Sequence, residues 1–361
     1  MHRGMALICF FLAAMGISQL PAAAASAVHH HFPAPAQGDG TDLVTIYGTT
    51  DLGVFEPVIR GFQLRHSGVS VAYVEVLSLD LYERILTETA EGVTADLAVS
   101  SAMDLQMKLA NDGYARPWRS VEAAALPRWA TWRDEAFGIT FEPAVIVYHR
   151  PSFVDLPVPR TREDLIALLE QTEEFFGRVG AYDAERSGLG YLFLARDEEQ
   201  SQRIWDLYRA LGAEGVKLFS NSSAILERVA DGRFALGYSV LGSYAIAMAE
   251  EEADLGVIMP EDYTTVLSRV AIVPRAAANT ALGGLFLDFM LSREGQAILA
   301  RESRLASIRE DVEVQDTVAA MRAELGTRIR PIPVSPAILV YLDELKRRRL
   351  LATWNAALGG R

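Results

Sequence analysis

Gly138-Ile139-Thr140-Phe141-Glu142-Pro143-Ala144-Val145-Ile146-Val147-Tyr148 is where the reading of this chain turns. Upstream of it, short β-rich runs alternate with helical spacing. Leu43-Val44-Thr45-Ile46-Tyr47 reads as a strand ending at Gly48, and Val54, Phe55, Val58, Ile59 and Phe62 then recur on one helix face, with Pro57 placing the helix start near Glu56. Residues 69–76 and Ala95-Asp96-Leu97-Ala98-Val99 are further strands. Asp80 with Glu83, and Ser101 with Asp104, read as capping boxes opening the helices that follow them. Such alternation predicts mostly parallel α/β sheets. It stops at 137–149, which is extended and apolar, and resumes when Thr161 with Asp164 caps a new helix. A second βα series follows, with strands at 178–182 and 234–240, and a second extended stretch runs over 264–274. Two extended stretches around a middle α/β block predict one lobe interrupted by another and joined by two crossover strands. Lobe 1 is then 42–138 plus 264–330, lobe 2 is 139–263, and 331–361 is a C-terminal helical segment with Leu339, Leu342, Leu345 and Leu350 on its apolar side. A ligand belongs in the cleft between such lobes, which close by hinge motion.

Composition narrows the function classes. The chain has 361 residues, of which 50% are hydrophobic and 22% charged, a globular composition with length for two domains. Its formal net charge of -13 and the lack of a basic stripe argue against nucleic acid as a partner. Lys346-Arg347-Arg348-Arg349 reads as a solvated helix end. At the N-terminus, Arg3, an apolar run over 5–15, a break at Pro21 and Ala25-Ser26-Ala27 predict a signal peptide over 1–27, cleaved after Ala27, and a periplasmic location. Cys9, the single cysteine, leaves with it, which excludes disulfides and thiol chemistry from the processed chain. Residues 28–41 show no periodicity and are expected to be flexible; His29-His30-His31 on such a tail would make a poor metal site. Neither a metal nor a cofactor is expected.

Several landmarks occur in an order that resembles a known family. Val44-Thr45-Ile46-Tyr47-Gly48-Thr49-Thr50-Asp51, Ala95-Asp96-Leu97-Ala98-Val99-Ser100-Ser101, Gly113-Tyr114, Val145-Ile146-Val147-Tyr148, Ala235-Leu236-Gly237-Tyr238 and Leu291-Ser292-Arg293-Glu294-Gly295-Gln296 together resemble the bacterial extracellular solute-binding proteins of the ferric-iron type over 42–305. The resemblance implies the two-lobed type II periplasmic-binding-protein fold, a monomer, and delivery of a small-molecule ligand to an inner-membrane ABC permease. Some members instead assist the periplasmic domain of a histidine kinase, which stays an alternative. The iron-binding members use two adjacent tyrosines, whereas here Tyr238 is followed by Ser239 and the next tyrosine is Tyr244. Hard ferric iron needs several anionic oxygens, so it ranks behind a phosphate ester or carboxylate as the expected ligand; the same broad family includes binders of hexose phosphates and phosphoglycerate.

Candidate ligand groups are sought where strands end and helices begin, because free amides and the helix dipole there attract anions. Thr49, Thr50 and Asp51 form one such turn, Ser100 and Ser101 a second, Ser187 and Gly188 a third, Asn221 and Ser222, with Ser223, a fourth. Tyr238 and Ser239 end a strand, and Glu142 flanks the first crossover with Arg150; Arg269 lies in the second. The alternatives to a ligand role are helix caps, core packing and salt bridges. Catalysis is disfavoured. Gly188-Leu189-Gly190 lacks the third glycine of a dinucleotide loop, and Gly237-Tyr238-Ser239-Val240-Leu241 falls one glycine short of a nucleophile elbow.

Overall fold

The computed structural model describes residues 27–36, 42–172, 174–312 and 325–359. Most of the expected signal peptide, with Cys9, lies outside the described residues. The strands are β1 (Val28–Phe32), β2 (Leu43–Gly48), β3 (Ser70–Glu75), β4 (Leu97–Ser100), β5 (Thr131–Trp132), β6 (Ala136–Gly138), β7 (Glu142–His149), β8 (Val179–Tyr182), β9 (Lys217–Phe219), β10 (Leu236–Leu241), β11 (Leu255–Ile258), β12 (Thr264–Leu267), β13 (Val270–Ile272) and β14 (Ile329–Pro331). They build two sheets. The first runs β1-β3-β2-β4-β13-β6-β5, the second β14-β12-β7-β10-β8-β9, with β11 also paired to β7. The trios β3-β2-β4 and β10-β8-β9 are parallel, as the strand–helix alternation predicts. The extended stretches are the two crossovers: the chain leaves the first sheet between β6 and β7 and returns to it between β12 and β13. Both β12 and β14 pair within the second sheet, although the sequence division put them with the first lobe.

Each lobe buries its own core. The helix Leu52–Arg65 lays Phe55, Val58, Ile59 and Phe62 on the first sheet, against Ile46, Phe286 and Met290. It begins before Glu56, because Glu75 Oε2 accepts the Leu52 amide at 2.9 Å and fixes the first turn ahead of Pro57. Phe153, Leu165, Phe175, Leu194, Leu207 and Leu211 fill the second lobe. The C-terminal segment joins both. Ile332, Val334 and Ile338 pack in one apolar cluster with Met103, Met107, Leu192 and Leu241, while Leu350 and Trp354 of the helix Glu344–Ala357 enter the second core. Leu345, expected on the apolar side, is 77% exposed.

Three local expectations fail for physical reasons. The Asp80–Glu83 capping box does not form, because the helix Ser78–Glu91 already begins two residues earlier, with Leu77 at its N-cap and no side-chain cap. Residues 28–32, expected to be flexible, form β1, antiparallel to β3. The His30 ring stacks on Tyr73 at 6.5 Å, and Gln63 Nε2 donates to the Phe32 and Pro33 carbonyls at 3.1 Å each. The strand was hidden in the sequence because His29 and His31 are exposed and His30 alone lies on the sheet. The Ser101–Asp104 capping box also does not form. Ala102 caps the helix Met103–Asn111, and Asp104 is buried with its Oδ1 accepting the Leu105 amide at 2.9 Å. Burial pushes that carboxyl up to about 7. The native state therefore holds the proton more tightly than the unfolded chain, and stability declines as pH rises from the ordinary carboxyl range through about 7. Asp104→Asn is expected to stabilise the protein more at pH 8 than at pH 5 in urea titrations; an equal effect at both would contradict this origin.

Candidate functional site

Three strands of each lobe end facing the other lobe. The turns after β2, β3 and β4 lead into helices Leu52–Arg65, Ser78–Glu91 and Met103–Asn111; those after β8, β9 and β10 lead into Gly188–Gln200, Ser222–Ala230 and Gly242–Glu251. Asp51, Leu77, Ser187, Asn221 and Leu241 are the N-caps of five of these helices, and all five line one cavity between the lobes. Ser101, one residue ahead of the sixth cap, lines it too. Each helix start carries roughly half a positive charge and amides without intrahelical acceptors, so the cavity is a convergence of anion-attracting termini. Its volume is about 40 Å³, above the roughly 10–15 Å³ that one water needs and far below the site of a drug-sized ligand.

Hydroxyls set the detail. Ser187 Oγ accepts the Gly190 amide at 3.1 Å, and Asn221 Oδ1 accepts that of Ala224 at 2.9 Å, both as caps. Ser222 Oγ accepts the Leu241 amide at 2.9 Å and bonds Tyr182 Oη at 2.6 Å. Thr49 Oγ1 accepts the Ser101 amide at 3.2 Å. At the cavity, three hydrogen bonds run from lobe to lobe. Ser223 Oγ donates to Asp51 Oδ2 at 2.6 Å, the Asp51 amide donates to Tyr244 Oη at 3.2 Å, and the Gly188 amide donates to Ser78 Oγ at 3.1 Å. This arrangement is closed.

Thr49, Asp51, Ser101, Ser187, Asn221 and Ser222 are thus brought together around the cavity. The other candidates have different tasks. Thr50 is buried behind the wall, where its Oγ1 accepts from Arg269 Nη1 at 2.8 Å. Ser100 Oγ accepts the Ala102 amide at 3.2 Å. Gly188 forms the interlobe contact just described. Tyr238 sits in the second core, its Oη donating to Asp197 Oδ2 at 2.7 Å and accepting from Arg162 Nε at 2.9 Å. Ser239, at φ 57°, occupies the irregularity between Gly237 and Val240 where β10 shifts register on β7. Glu142 is fully buried, with Arg269 Nε at 2.9 Å from its Oε1. Arg150 is exposed against Tyr148.

Ser78, Tyr182, Ser220, Ser223 and Tyr244 add further hydroxyls to the lining. Ser78 and Ser220 follow the ends of β3 and β9 and could have been found by the same strand-end rule. Tyr182 and Tyr244 carry no such signal. Burial pushes both phenols up, and the nearby Arg269 guanidinium only partly offsets this; Tyr244 reaches about 12. Burial by itself would weaken the hold of Arg269 on its proton, but the Glu142 carboxylate beside it more than compensates, so it stays charged.

Comparison with known proteins follows the same lines. The profile of the bacterial extracellular solute-binding protein family matches residues 44–302. The crystal structure of the substrate binding protein of the ABC transporter from Agrobacterium tumefaciens is 47% identical, with a TM-score of 0.90, covering 93% of this chain and 100% of that one. Iron-bound HitA from Pseudomonas aeruginosa (17% identity, TM-score 0.70) and the periplasmic binding protein AfuA from Actinobacillus pleuropneumoniae with fructose-6-phosphate (17%, 0.72) each cover 88% of this chain and 99% of their own. At that identity they share the fold. No curated protein matches the sequence.

Proposed function

Because this chain belongs to the bacterial extracellular solute-binding proteins, we propose that it captures a small oxyanion-bearing ligand, a phosphate ester or carboxylate, between its lobes in the periplasm and delivers it to an ABC permease. Proteins of this family bind solutes and do not transform them, so the chain is not an enzyme. The observation that carries the ligand class is the convergence of five helix caps on one hydroxyl-lined cavity. Delivery to a permease is supported by the Agrobacterium protein, described as part of an ABC transporter. The donor set speaks against ferric iron. Its cavity oxygens are hydroxyls, one amide, the phenols of Tyr182 and Tyr244 on separate elements, and a single carboxylate, Asp51, whereas ferric iron calls for several anionic oxygens at once.

Thermal unfolding of the purified protein with small phosphate esters, phosphonates, carboxylates and ferric citrate tests this. A ligand at 100 times its Kd adds about 2.7 kcal/mol of stability. An oxyanion class is expected to raise Tm, and Ser101→Ala with Ser223→Ala to weaken its binding at least about tenfold, given about 1.5–3 kcal/mol for a hydrogen bond to a charged group. A shift with ferric iron alone would overturn the proposal.

A further inference from the structure

The cavity is charged unevenly. Among the described residues that line it, Asp51 carries the only carboxylate, and there is no lysine, arginine or histidine. Arg269 stands behind Thr50 and Tyr244 with its charge held by Glu142, so it brings no free cation to the wall. Glu75, bonded to the Leu52 amide at 2.9 Å, adds a second negative charge beside Asp51 on the first lobe. On the second lobe the lining consists of helix starts and hydroxyls, with no carboxylate.

Asp51 is not occupied with its own helix. The Val54 and Phe55 amides bond to its backbone carbonyl at 3.0 and 3.1 Å, and its side chain makes no capping bond. Among the described residues, the side-chain partner of the carboxylate is Ser223 Oγ from across the cleft. A bare oxyanion in this small space would meet the helix starts but also face Asp51 without a compensating cation. An ammonium a few bonds from the oxyanion removes that conflict, because it can donate to the carboxylate while the oxyanion takes the amides.

We infer that the ligand is a small zwitterion, with its oxyanion on the helix starts and its ammonium on Asp51. This rests on the oxyanion reading above. Calorimetric titration with two matched series separates them: phosphoethanolamine, 2-hydroxyethyl phosphate and ethyl phosphate; and β-alanine, 3-hydroxypropionate and propionate. In at least one series the ammonium compound is expected to bind at least tenfold more tightly than its hydroxyl and methyl counterparts. Asp51→Asn should erase that preference, read as the ratio of the ammonium compound's affinity to those of its counterparts, with the Tm of the free protein as the folding control. Counterparts that bind as well as the ammonium compound, or a preference that survives Asp51→Asn, would overturn the zwitterion and leave the oxyanion reading standing. If no member of either series binds, both readings fall.

Discussion

Arg269→Met is expected to destabilise the protein by about 3–5 kcal/mol, the cost of leaving one member of a buried ion pair without its partner. Arg269 and Glu142 are 1% and 0% exposed at their side chains. They sit on the two crossovers, Glu142 at the start of β7 and Arg269 between β12 and β13. Thr140 Oγ1 donates to Glu142 Oε1 at 2.7 Å and accepts the Arg269 amide at 2.8 Å, and Ser243 Oγ also donates to Glu142. Removing the guanidinium therefore strands a carboxylate at the point where both lobes are joined. Glu142→Gln combined with Arg269→Met removes both charges, and most of the loss should return, as measured by urea denaturation. A single substitution that costs under about 1 kcal/mol, no more than an exposed pair contributes, would show that the pair does not hold the crossovers.

Gly188→Val is expected to weaken ligand binding while sparing the fold. A Cβ on Gly188 would lie 2.8 Å from Leu105 Cδ1, 2.9 Å from Ser78 Oγ and 3.2 Å from the Ala102 side chain, all belonging to the opposite lobe. These clashes fall at the contact between the lobes and outside the two sheets' own cores, so they oppose closure. Overpacking costs about 1–3 kcal/mol, which corresponds to roughly 5- to 150-fold in affinity. Small-angle scattering should show the variant failing to contract when ligand is added, with an unchanged Tm in its absence. Wild-type affinity in Gly188→Val would mean that the ligand binds without this closure.

The lobed architecture was legible because backbone patterning reports it directly. An extended apolar run that breaks a strand–helix alternation, repeated at 264–274, leaves little choice but two crossovers. Strand-end turns were legible for the same reason, which is why Thr49, Asp51, Ser101, Ser187, Asn221 and Ser222 meet at one cavity. What stayed hidden depends on partners far away in sequence. Nothing near Glu142 or Arg269 says that residues 127 apart form one ion pair, so Glu142 read as a ligand group and Arg269 as ambiguous. Tyr238 looked like a cleft residue at a strand end, yet its strand's irregularity at Ser239 accompanies a hydroxyl committed to Asp197 and Arg162 in the core. Asp104 resembled a cap because spacing cannot report that the helix around it is buried on both sides by the second lobe and the C-terminal segment.

The claim that the six strand-end turns form an oxyanion site is tested most directly by a crystal structure of the protein grown with the tightest-binding compound of the two series. The account expects the oxyanion between the lobes, within hydrogen-bonding distance of the Ser101 and Ser222 turns, with Asp51 on the ligand's donor group and Gly188 still packed on Ser78. Density for the compound outside this cavity, or a metal ion held there by Tyr182 and Tyr244, would contradict it.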